Sequence, residues 1–196
     1  MSTSARHLHY SYAEYRALED ESSVRHEYLD GEIYATAGGT PDHAALAAAV
    51  IHLLGSALKP SCRAFSSDLR IRIEASGLST YPDVSVVCGK TIRSPDDALA
   101  VTNPVLLVEI TSPSTEEYDR GEKLRHYKLL PSVQEVLILS HRGPRLTLHR
   151  REEGDHWAVT EASRGETLVL TSVAASVAVD SLYRDVLEDA TDAKES

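Results

Sequence analysis

Three side chains stand out because together they could hydrolyse a phosphate ester: Asp83 in "YPDVSVVCG", Glu109 in "PVLLVEIT" and Lys123 in "GEKLRHYKLL". Alternate side chains of a strand share a face. Asp83, Ser85 and Val87 therefore fall on one side of the first segment, and Val84, Val86 and Cys88 on the other. By the same rule Glu109 shares a face with Val105 and Leu107, opposite Leu106, Val108 and Ile110. Both segments are apolar on both faces, the pattern of sheet interior covered on each side. An acid inside such a run needs a cation, a hydrogen-bond network or a metal.

Lys123 adds the third component. At about 100° per residue it lies in the middle of the stripe formed by Leu124, Tyr127 and Leu130, whereas Lys128 points away. An amine centred on an apolar stripe aims at the sheet. Two carboxylates can hold a hard cation such as Mg²⁺ through oxygen ligands. The cation and the ammonium would then offset charge developing on a phosphate and help to activate water. Plainer uses exist for each residue. Asp83 follows Pro82 and could cap a turn; Glu109 could sit in an ion pair within the sheet; Lys123 could snorkel or pair with an acid.

The elements that must position these groups can be read along the chain. "SYAEYRALEDES" reads as a short helix, and "VRHEYLDGEIYATAGG" as a hairpin turning at Asp30-Gly31. "AALAAAVIHLLGSALK" is a long apolar helix ended by Pro60. Three strands follow, "CRAFSSDLRIRI", "YPDVSVVCG" and "PVLLVEIT". The second main helix, "SPSTEEYDRGEKLRHYKLL", carries a capping box of Ser114 with Glu117 and is closed by Pro131. "QEVLILS" and "RLTLHRRE" pair across "HRGP", "WAVTEA" and "TLVL" read as edge strands, and a short helix near "SLYRDVL" completes the order.

Composition narrows the classes. A length of 196 residues suits one domain. The longest apolar run is far short of the roughly 20 residues a membrane helix needs, and the start has no apolar core of a secretory signal. Two cysteines, Cys62 and Cys88, are too few for a disulfide framework and lack zinc-site spacing, so a cytoplasmic, reducing home is the expectation. The net charge of −10 counts against a protein that grips nucleic acid through overall positive charge. Lys59, Arg63, Arg70 and Arg72 against the single acid Asp68 leave room for a local basic strip. Asp68, which alternates with Arg70 and Arg72, itself reads as half of a cross-strand pair. No nucleophile elbow, phosphate-binding glycine loop or zinc helix is present in the sequence.

"HEYLDGEIYATAGGTPDH", "FSSDLRIRI", "YPDVSVVCG" and "VEITSPSTEEYDRGEKLRHYKLLPSVQEVLIL" resemble the Uma-type restriction-endonuclease family, a bacterial branch of the PD-(D/E)XK nuclease superfamily. The resemblance spans residues 10 to 188, as a single domain between ends expected to be disordered at 1–9 and 189–196. It implies an α/β fold with a restriction-endonuclease-like αβββαβ core, a mixed central sheet, an N-terminal hairpin and C-terminal strand additions. It implies that Asp83 and Glu109 bind metal, Mg²⁺ or Mn²⁺, for hydrolysis of DNA phosphodiester bonds. The superfamily pattern places a lysine at position 111, which here is Thr111; the family lysine sits in the following helix and matches Lys123. Glu27 resembles an additional family acid approaching the same metal, although a hairpin rich in exposed charge would equally account for it. His43, at the entry to the long helix, is a candidate donor behind the ligands. The rival reading is a nuclease-fold protein that binds nucleic acid or a protein partner without cutting. Cleavage of both strands would call for a homodimer, with the edge strands after "HRGP" as its surface.

Overall fold

The computed structural model describes residues 9–36, 39–184 and 186. Residues 1–8 and 187–196 lie outside the described residues, and with them nearly all of the ends at 1–9 and 189–196 where disorder is expected. Helix α1 (Tyr12–Glu21) starts at Ser11, whose hydroxyl and the Glu14 carboxylate form a reciprocal capping box. The expected hairpin follows as β1 (His26–Leu29) and β2 (Glu32–Ala35). Its turn residues Asp30 and Gly31 have φ of 46° and 88°, the left-handed pair that an Asp-Gly hairpin turn needs. Helix α2 (Pro41–Ala57) begins at Thr40, with Pro41 in its first turn.

Seven strands come next: β3 (Cys62–Ser66), β4 (Arg70–Ile73), β5 (Leu78–Thr80), β6 (Val84–Cys88), β7 (Arg93–Ser94), β8 (Asp97–Val101) and β9 (Leu106–Ile110). After the helical stretch 116–128 come β10 (Glu135–Leu139), β11 (Arg145–Arg151), β12 (Trp157–Ser163), β13 (Thr167–Leu170) and β14 (Ala175–Ala178).

The central sheet runs β12-β11-β10-β9-β6-β3. Its β9 and β10 are parallel and its other neighbours antiparallel. Helix α2, strands β3, β6 and β9, the helical stretch and β10 thus realise the expected αβββαβ order. A second sheet, β2-β1-β5-β4-β8-β7, joins the N-terminal hairpin to strands inserted between β3 and β9. Alternation sorts the two faces of the central sheet as the sequence required. Val84, Val86, Leu106, Val108 and Ile110 pack with Leu46, Val50 and Leu54 of α2. Val87 and Leu107 pack on the other side with Ile71, Ile73 and Leu78 of the second sheet and with Leu124, Tyr127 and Leu130.

Several local expectations change. "CRAFSSDLRIRI" is two strands in different sheets, because the Leu69 amide bonds the Ser66 carbonyl (3.1 Å) and the chain turns there. The short strands β5 and β7 carry too few residues for their alternation to register in a sequence, and β8 lacks a regular alternation of burial. No continuous basic strip forms from Lys59 to Arg72. Arg70 is buried against Asp97 (2.6 Å), and Arg72 lies over the Tyr12 ring and donates to the Gly77 carbonyl. Asp68 lies in the turn between β3 and β4 and pairs with Arg25, just before β1. Cys62 and Cys88 stand directly opposite each other in β3 and β6 and are joined as a disulfide, a pairing set by register between distant segments.

Glu135 shows how this fold satisfies a purely structural acid. Its carboxylate accepts from Arg150 Nε (2.8 Å), the amides of Thr171 (3.1 Å) and Ser172 (3.0 Å), and both of their hydroxyls. Burial alone would raise its pKa, but Ser172, Arg150 and Thr171 together outweigh burial and hold it below the ordinary value. A depressed carboxyl pKa stabilises the fold above the unfolded-state pKa, and that stability is lost as pH falls through the folded one. Urea unfolding of Glu135→Ala at neutral pH should show a loss of about 3 kcal/mol. Glu135→Gln should flatten the fall in stability expected of the native chain as pH drops below the ordinary carboxylate range.

Candidate active site

The register of β6 against β9 pairs Val84 with Val108 and Ser85 with Leu107, so its next step sets Asp83 opposite Glu109. Opposite residues of antiparallel strands share a face. At the mouth of β6, Asp83 Oδ2 accepts the Ile110 amide at 2.7 Å and lies 3.3 Å from His43 Nε2. Among the described residues no donor engages Oδ1. Glu109 is 3% exposed. It accepts the Tyr127 hydroxyl and the Lys123 ammonium (3.1 Å), both at Oε1.

Lys123 arrives on an interrupted helix: α3 (Glu116–Tyr118), a π turn (Asp119–Lys123) and α4 (Leu124–Lys128). The expected Ser114–Glu117 capping box does not form. The hydroxyl of Ser112 bonds those of Ser114 (3.1 Å) and Thr115 (3.0 Å) and accepts the Thr115 amide (3.2 Å), so Ser112 holds the entry instead. Asp119, Lys123 and Tyr127, each four residues from the next, are all buried on one face of this stretch, which winds as a π turn over Asp119–Lys123. Lys128 faces away, as its angle required, over the Trp157 ring.

Lys123 Nζ stands 3.1 Å from Glu27 Oε1, 3.1 Å from Glu109 Oε1 and 3.9 Å from Asp119 Oδ1. Glu27 reaches it from β1 of the second sheet, is 8% exposed and accepts the Thr80 hydroxyl. It is therefore an inward acid and not one of the exposed charges of the hairpin. Glu27, Glu109 and Lys123 are in direct contact, with Asp83 in the adjoining strand position. Three further participants, Asp119, Tyr127 and Thr80, escaped the sequence reading. Asp119 and Tyr127 lie four residues to either side of Lys123, a spacing that could have found them; Thr80 sits in a three-residue strand and gave no signal.

The electrostatics are those of acid crowded around one cation. Burial raises the Glu109 pKa; Lys123 opposes this, but the charges of Asp83 and Asp119 add to burial and leave it well above the ordinary range. Asp119 is raised as well, chiefly by burial. Burial would lower the Lys123 pKa, yet Glu109, Tyr127, Glu27 and Asp119 outweigh burial and keep the ammonium charged. Tyr127, raised by burial and then by Glu109, stays a hydroxyl donor. Three acids thus face one lysine, with Asp83 adding its charge at Glu109 and Asp119, a crowding of carboxyl groups suited to a further cation. Among the described residues no three side chains already form a metal-ligand cluster. Asp83 and Glu109 do offer hard oxygens, and Asp83 Oδ1 and Glu109 Oε2 are unengaged by other described residues. That donor set fits Mg²⁺, which takes one or two carboxylates and keeps several waters.

A mixed sheet in αβββαβ order with acids at adjacent strand positions defines the restriction-endonuclease-like fold. The chain belongs to the Uma2 family, described as "Putative restriction endonuclease", whose model matches residues 12–180. It is 36% identical over 172 residues to the uncharacterized protein slr1290 of Synechocystis sp., covering 87% of this chain and 90% of that one. It is 30% identical over 150 residues to sll1609 of the same organism, also uncharacterized, covering 76% and 85%. Its fold matches the crystal structure of "a putative nuclease belonging to DUF820" from Anabaena variabilis, with a TM-score of 0.72 and 21% identity over 89% of this chain and 98% of that one. Among the described residues no helix is long and apolar enough to cross a membrane.

Replacing Lys123 by Met should leave Glu27 and Glu109 buried without their cation and lower stability at neutral pH by about 3 kcal/mol. A carboxyl whose folded pKa is raised costs stability as pH rises through that pKa. Chemical denaturation should therefore show a smaller loss for Lys123→Met at pH 5 than at pH 8.

Proposed function

We propose that the chain is a metal-dependent endonuclease that hydrolyses phosphodiester bonds of DNA. The observation that carries this reading is the Lys123 ammonium, held 3.1 Å from acids of two different sheets beside the Asp83–Glu109 pair. Asp83 and Glu109 would hold Mg²⁺ or Mn²⁺ through their oxygens. Bound there, the metal would supply Lewis-acid stabilisation and lower the pKa of a coordinated water. Lys123 orients the attacking water and offsets the charge that grows on the phosphate oxygens. Glu27 holds the ammonium from the opposite sheet, and the Tyr127 hydroxyl fixes Glu109 Oε1, directing Oε2 toward the cation. In the overall reaction one P–O ester bond and one O–H bond of water break, the water oxygen bonds to phosphorus, and the released sugar oxygen takes up a proton. Pairing of two subunits along the free edge of β12 would present two such centres to the two strands of a duplex.

One observation favours a non-cutting, nucleic-acid- or protein-binding reading. Thr111, at the superfamily lysine position, is buried and spends its hydroxyl on the Leu139 carbonyl (3.3 Å) and His141 Nδ1 (2.9 Å). Incubation with plasmid, single-stranded DNA and RNA across several divalent metals separates the two. Cleavage is expected with Mg²⁺ or Mn²⁺, and Asp83→Ala, Glu109→Ala and Lys123→Ala should each reduce it by about 100-fold or more. Equal cleavage by all three variants would remove this assignment, and a folded wild type that neither cuts nor binds metal would favour the binding module.

A further inference from the structure

We propose that His43 is a positioning residue for the metal ligand Asp83, and that Gly39 is what lets its imidazole take that place. This rests on the reading of Asp83 as a ligand. Two contacts to Asp83 meet on the same atom, a backbone hydrogen bond and an imidazole at ion-pair distance. The Ile110 amide, next to Glu109 on β9, bonds Oδ2 at 2.7 Å. His43 Nε2 approaches Oδ2 at 3.3 Å from α2, which packs on the other face of the central sheet. A carboxylate gripped twice at one oxygen has its rotation fixed, and the oxygen left over, Oδ1, is turned to a cation in a defined direction.

The imidazole is itself held by its surroundings. Its backbone amide donates to the Thr40 hydroxyl at 3.2 Å, the capping bond that starts α2. Its ring fills the space where a residue-39 side chain would stand. A Cβ on Gly39 would lie 2.7 Å from Nδ1 and 3.1 Å from Cγ of His43. Any larger residue at 39 must therefore push the ring aside, and the ring's far edge is the part that reaches Asp83. The stretch "GGTPDH" thus works as one device: a glycine that leaves room, a threonine that anchors the amide, and a histidine that reaches the acid. Partners that orient metal ligands from behind typically affect metal affinity by about 10- to 100-fold.

Mn²⁺ binding to the full chain, followed by electron paramagnetic resonance and titration calorimetry, tests this apart from cleavage. His43→Ala and Gly39→Ala should each weaken Mn²⁺ binding by about 10-fold or more, with far-UV circular dichroism and melting temperature close to wild type. His43→Gln, which keeps an N–H near the position of Nε2, should recover most of the affinity. Gly39→Ala retains the imidazole and lies outside α2, so it serves as the probe if His43→Ala does not fold. Wild-type affinity that depends on Asp83 but is unchanged in both His43→Ala and Gly39→Ala would overturn the role of His43 and leave the metal site standing. Absence of Mn²⁺ binding in the wild type, or binding untouched by Asp83→Asn, would overturn the metal reading itself and this inference with it.

Discussion

The structure around the candidate centre depends on one buried ammonium. Lys123 is 6% exposed, and a charge taken that far from water persists only when opposite charges and hydrogen bonds replace the hydration it loses. Glu109 supplies one partner from the middle of the central sheet and Glu27 another from the second sheet, with Asp119 one turn away. These residues come from β1, β9 and the π turn, and β1 is far from the other two in sequence. The ion cluster therefore does for the polar side of the interface what Leu107, Leu124 and Tyr127 do for the apolar side: it fixes how the second sheet and the helix sit on the first.

Burial of an acid is not by itself a sign of chemistry, and Glu135 makes the difference visible. Glu109 and Glu135 lie on adjacent parallel strands, three register steps apart. Five donors surround Glu135, and they hold its carboxyl below the ordinary value despite burial. Glu109 has one hydroxyl and one shared ammonium, with Asp83 and Asp119 close enough to push its pKa upward. The first arrangement is complete without any ligand. The second is short of positive charge, and a carboxylate cluster in that condition is where a bound cation lowers the energy most.

Much of this was legible in the sequence because it follows from short-range periodicity. Alternation placed Glu109 and Asp83 on the face opposite the Leu106 and Val84 rows, and the helical stripe turned Lys123 inward and Lys128 outward. What failed to show was set by partners far along the chain. The turn at Ser66 that divides β3 from β4 is decided by pairing with two different sheets, while the local run of basic and apolar residues reads as one strand. Cys62 meets Cys88 only once β3 and β6 are in register. The hydroxyls of Ser112, Ser114 and Thr115 satisfy one another, a local competition that the Ser-x-x-Glu spacing does not reveal. The π turn itself has no sequence code in this chain, although the i, i+4 spacing of Asp119 and Lys123 already sets the two on one helix face.

The displaced lysine and the added second sheet can be understood as one arrangement. A lysine at position 111 would have stood two residues beyond Glu109, on the same strand. Thr111 instead closes the end of β9 onto β10 through Leu139 and His141, so that position is committed to the sheet. An ammonium brought in from the helix enters between the layers instead, at a depth where the Glu109 carboxylate alone would leave it poorly compensated. Glu27 makes up the difference, and Thr80 on β5 holds Glu27 in turn. The hairpin and the inserted strands are then not an ornament on the αβββαβ core. They carry the counter-charge that lets a lysine on a helix lie buried beside Glu109.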